Sequence, residues 1–185
     1  MKKAVLIIAY RNFQDKEYSV TREVLENGGM EVKTAASQKG IAEGVFGLKA
    51  SVDLLVAEVN PVDFDAVVFI GGGGALDYLD NKISYNLASE TINQNKILAA
   101  ICIAPVILAK AGLLKNKKAT VWRNPLDEES LKILQENGAK FTDEKVVSDG
   151  RIITANGPAA AEEFGESILK LINEQYQKFL HHRSH

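Results

Sequence analysis

Residues 96–111 read KILAAICIAPVILAKA. An apolar run, Lys96 to Ile101, has the character of a buried strand, Pro105 to Ala111 that of a helix, and Cys102, the only cysteine in the chain, falls between them. This layout predicts a nucleophile elbow, in which a tight strand-to-helix turn projects the nucleophile and small residues two places before and after it prevent collisions. Ala100 and Ala104 occupy those two places. A thiol at a helix start also faces unpaired amide hydrogens, which favour the thiolate and lower a free-cysteine pKa of about 8.5 into the range of about 3.5 to 7.5. A lone cysteine is otherwise a small buried hydrophobe; the elbow spacing favours chemistry here.

Outward from this stretch, strand and helix signals alternate, the pattern of a doubly wound α/β fold with a mostly parallel sheet. Ala4 to Ala9, Glu31 to Ala36 and Ala66 to Ile70 read as strands. A helix runs to about Glu26 and stops at Gly28-Gly29, and another spans roughly Asn81 to Asn93 with Ile83, Leu87 and Ile92 on one face. Val45 to Val59 reads as a small antiparallel hairpin excursion, with Val45-Phe46 and Ala50 to Leu54 turning at Gly47. Beyond the elbow helix, which stops near Gly112, Ala119 to Trp122 is a predicted strand and Leu126 to Glu136 a helix. Ser148-Asp149-Gly150 between Val146-Val147 and Ile152-Ile153 is the strongest hairpin signal. The last helix starts at Asn156-Gly157-Pro158 and carries Phe164, Ile168, Leu171, Ile172 and Phe179 inward.

The chain has 185 residues, suited to one domain with a substantial core. Residues 1–180 are expected to form it, without internal repeat or linker. A formal net charge of −2 and no basic, aromatic-interleaved stripe argue against nucleic acid. One cysteine cannot close an intrachain disulfide, which suits a reducing compartment. The apolar run after Met1-Lys2-Lys3 is too short for a signal peptide, and Ile97 to Ala109 is too short for a membrane span. The expectation is a cytoplasmic protein with no membrane partner. The three histidines all lie in the tail, residues 181–185, whose Arg183-Ser184-His185 resembles the start of a truncated purification tag and is set aside. The body therefore has no histidine for acid-base work, and neither metal nor cofactor is expected.

Ligands of such sheets gather outside the carboxyl ends of the strands. Four features fall there: Asp15-Lys16-Glu17, the run Gly71 to Gly74, Cys102, and Asn156-Gly157-Pro158. The glycines lack the following Gly-Lys-Ser/Thr of a phosphate loop and the spacing of a dinucleotide fingerprint. Beside a thiolate, their amides suit an oxyanion better than a phosphate. Glu17 at a helix start is either a solvated partner of the helix dipole or, if buried against the sulfur, a proton carrier. Trp122, Arg123 and Asn124 are candidate pocket residues, and Trp122 is equally suited to the core.

The segments Phe13 to Glu17, the strand ending in glycines, Ala100-Ile101-Cys102, and Asn156-Gly157-Pro158 together resemble the ThiJ/PfpI superfamily, which includes the Parkinsonism-associated protein deglycase and the PfpI intracellular protease. The match runs in order over nearly the whole chain. It implies a flavodoxin-like three-layer α/β/α sandwich and a homodimer. By position, Cys102 resembles the reactive elbow cysteine and Glu17 its protonated partner; Gly72, Gly73 and the amide of Ile103 resemble the oxyanion-binding backbone. Asp77 occupies the place of an acid that serves a neighbouring subunit's site, and Trp122, Asn156, Gly157 and Pro158 are site-lining candidates.

Two departures bear on activity. The protease-like branch has histidine after the cysteine, where this chain has Ile103, and the deglycase-like branch has another near the segment matched by Gly138-Ala139-Lys140, also missing. A histidine general base contributes on the order of 10² to 10⁴ in rate, so peptidase activity ranks lowest. A thiolate can still add to a small reactive carbonyl, with Glu17 moving protons, which favours a glyoxalase- or deglycase-like enzyme. The rival is a non-catalytic redox sensor or stress protein acting through Cys102 oxidation.

Overall fold

Side chains of the first strand alternate between two apolar clusters, Ala4, Leu6 and Ile8 in one and Val5 and Ile7 in the other, and all are fully buried. A strand covered on both faces reads as a continuous hydrophobic run, as Ala4 to Ala9 does. The computed structural model describes residues 1–126 and 128–183, except the side chains of residues 179, 182 and 183. In chain order its strands are β1 (Lys3–Ile7), β2 (Arg11–Phe13), β3 (Glu31–Ala36), β4 (Gly40–Gly44), β5 (Lys49–Val52), β6 (Leu54–Leu55), β7 (Ala66–Phe69), β8 (Ile97–Ile101), β9 (Lys118–Ala119), β10 (Lys140–Phe141), β11 (Val146–Asp149) and β12 (Ile152–Ala155). Its helices are α1 (Asp15–Asn27), α2 (Ala75–Leu79), α3 (Lys82–Asn93), α4 (Pro105–Lys110), α5 (Glu129–Glu136) and α6 (Ala161–Arg183).

Seven strands form the central sheet in the order β11-β12-β8-β7-β1-β3-β6. Every neighbouring pair is parallel except β11 with β12. Residues of α1 and α6 join the cluster on one face, and those of α3, α4 and α5 the cluster on the other, which makes a three-layer α/β/α sandwich. The fold is the flavodoxin-like one. Between β1 and β7 the winding changes direction, so their carboxyl ends open a crevice at a topological switch point.

The excursion is a separate three-stranded sheet, β2-β4-β5, and its position corrects the sequence reading. The first arm of the hairpin is Gly40–Gly44, and Val45-Phe46 belong to the turn that contains Gly47 at φ 89°. Two glycines in that arm hid its strand signal. Of Ala119 to Trp122 only Ala119 is strand, in the pair Lys118–Ala119, because the partner is the two-residue β10. The α5 helix starts at Glu129, and Leu126 stands 95% exposed. Leu87 is buried and Ile92 packs against the core, but Ile83 is 52% exposed, since the buried face of α3 is Ser84, Leu87, Ala88 and Thr91. Phe164, Ile168 and Ile172 are buried and Leu171 partly so; the side chain of Phe179 and the last two tail residues lie outside the described residues. The α6 helix continues through residue 180 as far as Arg183. Among the described residues, no helix is long and apolar enough to cross a membrane.

Candidate active site

Cys102 adopts φ 65°, a left-handed backbone that a residue with a Cβ seldom accepts, at a cost on the order of 1–3 kcal/mol. The turn is held by its neighbours: the Cys102 N–H donates to the Ala155 carbonyl at 2.8 Å, and the Trp122 N–H donates to the Cys102 carbonyl at 2.8 Å. Ala100 and Ala104 are fully buried beside it. The strand-turn-helix geometry is therefore that of the predicted elbow. Its helix α4 is only six residues long.

Glu17 is fully buried, so the solvated reading of this carboxylate is excluded. The start of α1 explains how it gets there. Gln14 caps the helix, its side-chain oxygen accepting the Glu17 N–H at 3.0 Å, while the Gln14 N–H donates to the Gly71 carbonyl at 2.9 Å. The Gly71 N–H in turn donates to Glu17 Oε2 at 3.0 Å. One glycine thus stitches the end of β7 to the start of α1 and aims the carboxyl at the elbow. Oε1 has no conventional hydrogen-bond partner. Burial raises the Glu17 pKa to about 7, against partial relief from the Cys102 side chain and the Gly71 amide.

Burial pushes the Cys102 thiol up, and negative charge on Glu17 pushes it further; the Ile103 and Gly72 amide hydrogen bonds pull it down. This corrects the lowered pKa expected from a helix start: burial and the Glu17 charge outweigh the two amides and leave the thiol raised, and the sequence displays neither effect. Thiol and carboxyl thus form a coupled pair competing for protons.

Above the sulfur lies a cavity of about 550 Å³, which Gly72, Gly73, Asp77, Ile103, Trp122 and Pro158 help to line. Gly72 and Ile103 present amides to the sulfur, and Gly73 forms wall beside them. Asn156 and Gly157 instead line an adjoining depression of about 330 Å³, which shares Trp122 and Pro158 with the first. Trp122 is 39% exposed and belongs to the site wall. The sequence reading gave no individual role to Gln14 or Gly71, which lay within the segments it singled out, and missed the apolar lining residues Val45, Phe46 and Leu76. The glycine run contained the signal for Gly71: a Cβ there would lie 2.6 Å from Cys102 Cβ and 2.8 Å from the Ile101 carbonyl oxygen.

The chain is 40% identical over 173 residues to the uncharacterized protein MJ0967 of Methanocaldococcus jannaschii, covering 93% of this chain and 83% of that one. It is 30% identical over 168 residues to the deglycase PfpI of Pyrococcus furiosus, covering 91% and 98%. The crystal structure of a ThiJ/PfpI domain protein from Brachyspira murdochii superposes with a TM-score of 0.87 at 32% identity, over 93% of this chain and 96% of the other. A family model matching residues 2–171 agrees with the elbow, the glycine run and the buried glutamate in one conclusion: the chain belongs to the DJ-1/PfpI family.

Proposed function

We propose that the protein converts small reactive carbonyl compounds in a cysteine-dependent, glyoxalase- or deglycase-like reaction. The observation that carries this reading is the fully buried Glu17, titrating near 7, against a cysteine whose sulfur meets two backbone amides. Loss of one proton from the pair leaves a monoanion whose remaining proton sits on either partner. Its thiolate tautomer is the nucleophile, and the protonated carboxyl is then a donor.

For an α-ketoaldehyde, sulfur adds to the aldehyde carbon and the former carbonyl oxygen becomes an oxyanion facing the Gly72 and Ile103 amides. After that oxygen is protonated, the Glu17 carboxylate takes the proton from the aldehyde carbon and returns a proton to the neighbouring carbon, so the first carbon is oxidised and the second reduced. Water hydrolyses the resulting thioester, releasing a 2-hydroxy acid and the thiol. The deglycase name of the Pyrococcus relative supports the carbonyl class. Lactate formation from methylglyoxal, lost in Cys102→Ser, is the expected result; a wild-type protein that forms none, yet is selectively oxidised at Cys102, points to the sensor reading instead.

The paired titration has its own test. Burial and the Glu17 charge both raise the thiol, so the main rise in wild-type Cys102 alkylation is expected above the free-thiol value of about 8.5. Glu17→Ala removes the charge and leaves burial, so the midpoint moves down; Glu17→Gln also removes the charge and keeps a donor, so it moves down further. A midpoint that neither substitution lowers overturns the pairing.

A homodimer is also proposed, supported by the family resemblance and by the exposed Asp77 at the cavity wall. Closed two-fold dimers are the commonest oligomers. Sedimentation at micromolar concentration is expected to give twice the chain mass, and a monomer alone overturns it.

A further inference from the structure

Two aromatic residues, Phe46 and Trp122, line the cavity that Cys102 also lines, and their backbone is pinned in place. The Phe46 and Leu48 N–H groups donate to the two Asp15 carboxylate oxygens at 3.0 and 2.8 Å, and the Val45 N–H donates to the Phe13 carbonyl at 2.9 Å. Trp122 hangs from the carbonyl of Cys102 itself. Phe46 is nevertheless 80% exposed, and with Val45, Leu76, Ile103, Trp122 and Pro158 it gives the cavity an apolar wall. Fixing the backbone that carries an exposed phenyl group at the wall of this cavity gains little for the isolated fold. It does lower the ordering cost of binding an apolar group there.

Size and charge narrow the occupant. A cavity of about 550 Å³ lies within the range of about 300–1,000 Å³ that takes ligands of drug size, far more than a two- or three-carbon aldehyde fills. Asp77 is the only charged side chain among the described residues of its lining. The nearby cation, Arg123, is engaged by Glu128 at 3.0 Å and Asp143 at 3.6 Å. An anionic substituent therefore meets no free partner in the wall and one like charge.

We infer that this apolar collar is a subsite for an uncharged aryl or branched-alkyl substituent, so that the substrates are reactive carbonyl compounds carrying such a group. The inference rests on the proposed carbonyl chemistry, and its test separates the two. The first measurement is the ratio of kcat/KM for phenylglyoxal to that for methylglyoxal in the wild type, Phe46→Ala and Trp122→Ala. Burying a phenyl-sized group at about 1.5–3 kcal/mol corresponds to a preference of about 10- to 100-fold. The wild type is expected to show it and both variants to lose most of it, with Phe46→Leu retaining part.

The second measurement needs no turnover: the rate at which Cys102 reacts with N-phenylmaleimide relative to N-methylmaleimide, each normalised to a small free thiol. The same preference and the same losses are expected. Aryl selectivity in alkylation without turnover of either aldehyde keeps the collar and removes the carbonyl reaction. Turnover with no aryl preference keeps the reaction and overturns the collar. A ratio unmoved by Phe46→Ala, with a weakened dimer in sedimentation, assigns Phe46 to subunit contact and also overturns it.

Discussion

Gly71→Ala is expected to destabilise the protein by about 2–3 kcal/mol and to remove most Cys102 reactivity. The added methyl would meet Cys102 Cβ at 2.6 Å, and Glu17 Oε2 and the Ile101 carbonyl oxygen each at 2.8 Å. Two of these three atoms are fixed by backbone, so relief requires the elbow or the end of β7 to move, and overpacking of this kind typically costs about 1–3 kcal/mol. At about 2–4 °C per kcal/mol for a chain of this size, the melting temperature falls by about 4–12 °C. Movement also separates the Gly71 amide from the carboxyl and the carboxyl from the sulfur. Gly73→Ala is the control for stability, since a Cβ there meets nothing within 4 Å. Thermal unfolding and iodoacetamide kinetics on both variants check this; equal stability of the two would show that the approach of β7 to the elbow is not tight.

Glu17→Gln is expected to abolish a fall in stability that the wild type suffers between about pH 4.5 and 7. The folded pKa of Glu17 is raised to about 7 from an ordinary 4.5. Below pH 4.5 the group is protonated in both states and exerts no penalty. Between the two values the unfolded chain releases the proton and the folded chain keeps it, so the folded state binds more protons and stability falls as pH rises. Above about 7 the loss is complete, amounting to about 3 kcal/mol for this fully buried group. Glutamine has nearly the same shape, can accept from the Gly71 amide and can donate to the sulfur, but does not titrate. The stability difference between Glu17→Gln and wild type, measured by denaturant unfolding at pH 4 and pH 8, is expected to shift by about 3 kcal/mol in favour of the variant at the higher pH. Taking the difference cancels the surface carboxylates. A constant difference would place the Glu17 pKa near its ordinary value and remove the basis of the coupled pair.

The lining of the pocket shows why some of the site was legible and some was not. Cys102, Glu17 and Gly72 each have a local signature: a strand-to-helix junction with flanking alanines, a carboxylate at a helix start, a glycine run after an apolar strand. Phe46 has none, because an aromatic residue in a turn reads like any hairpin residue until Asp15, 31 positions away, is seen to accept its amide. Gly71 looked like a turn-former, yet it is required by the close approach of Cys102 and Ile101 from another strand.

The sequence by itself determined the alternation of elements, the mostly parallel character of the sheet, the elbow at Cys102 and the absence of histidine from the body of the chain, because each is written in local pattern or composition. Only the tertiary structure decided the charge state of the site. Whether Glu17 is solvated or buried, and whether its field and the lost water outweigh two amide dipoles at the sulfur, depends on β7, β8 and α1 converging on a few cubic ångströms. Desolvation is set by everything that surrounds a group, and a sequence names the group without naming its surroundings.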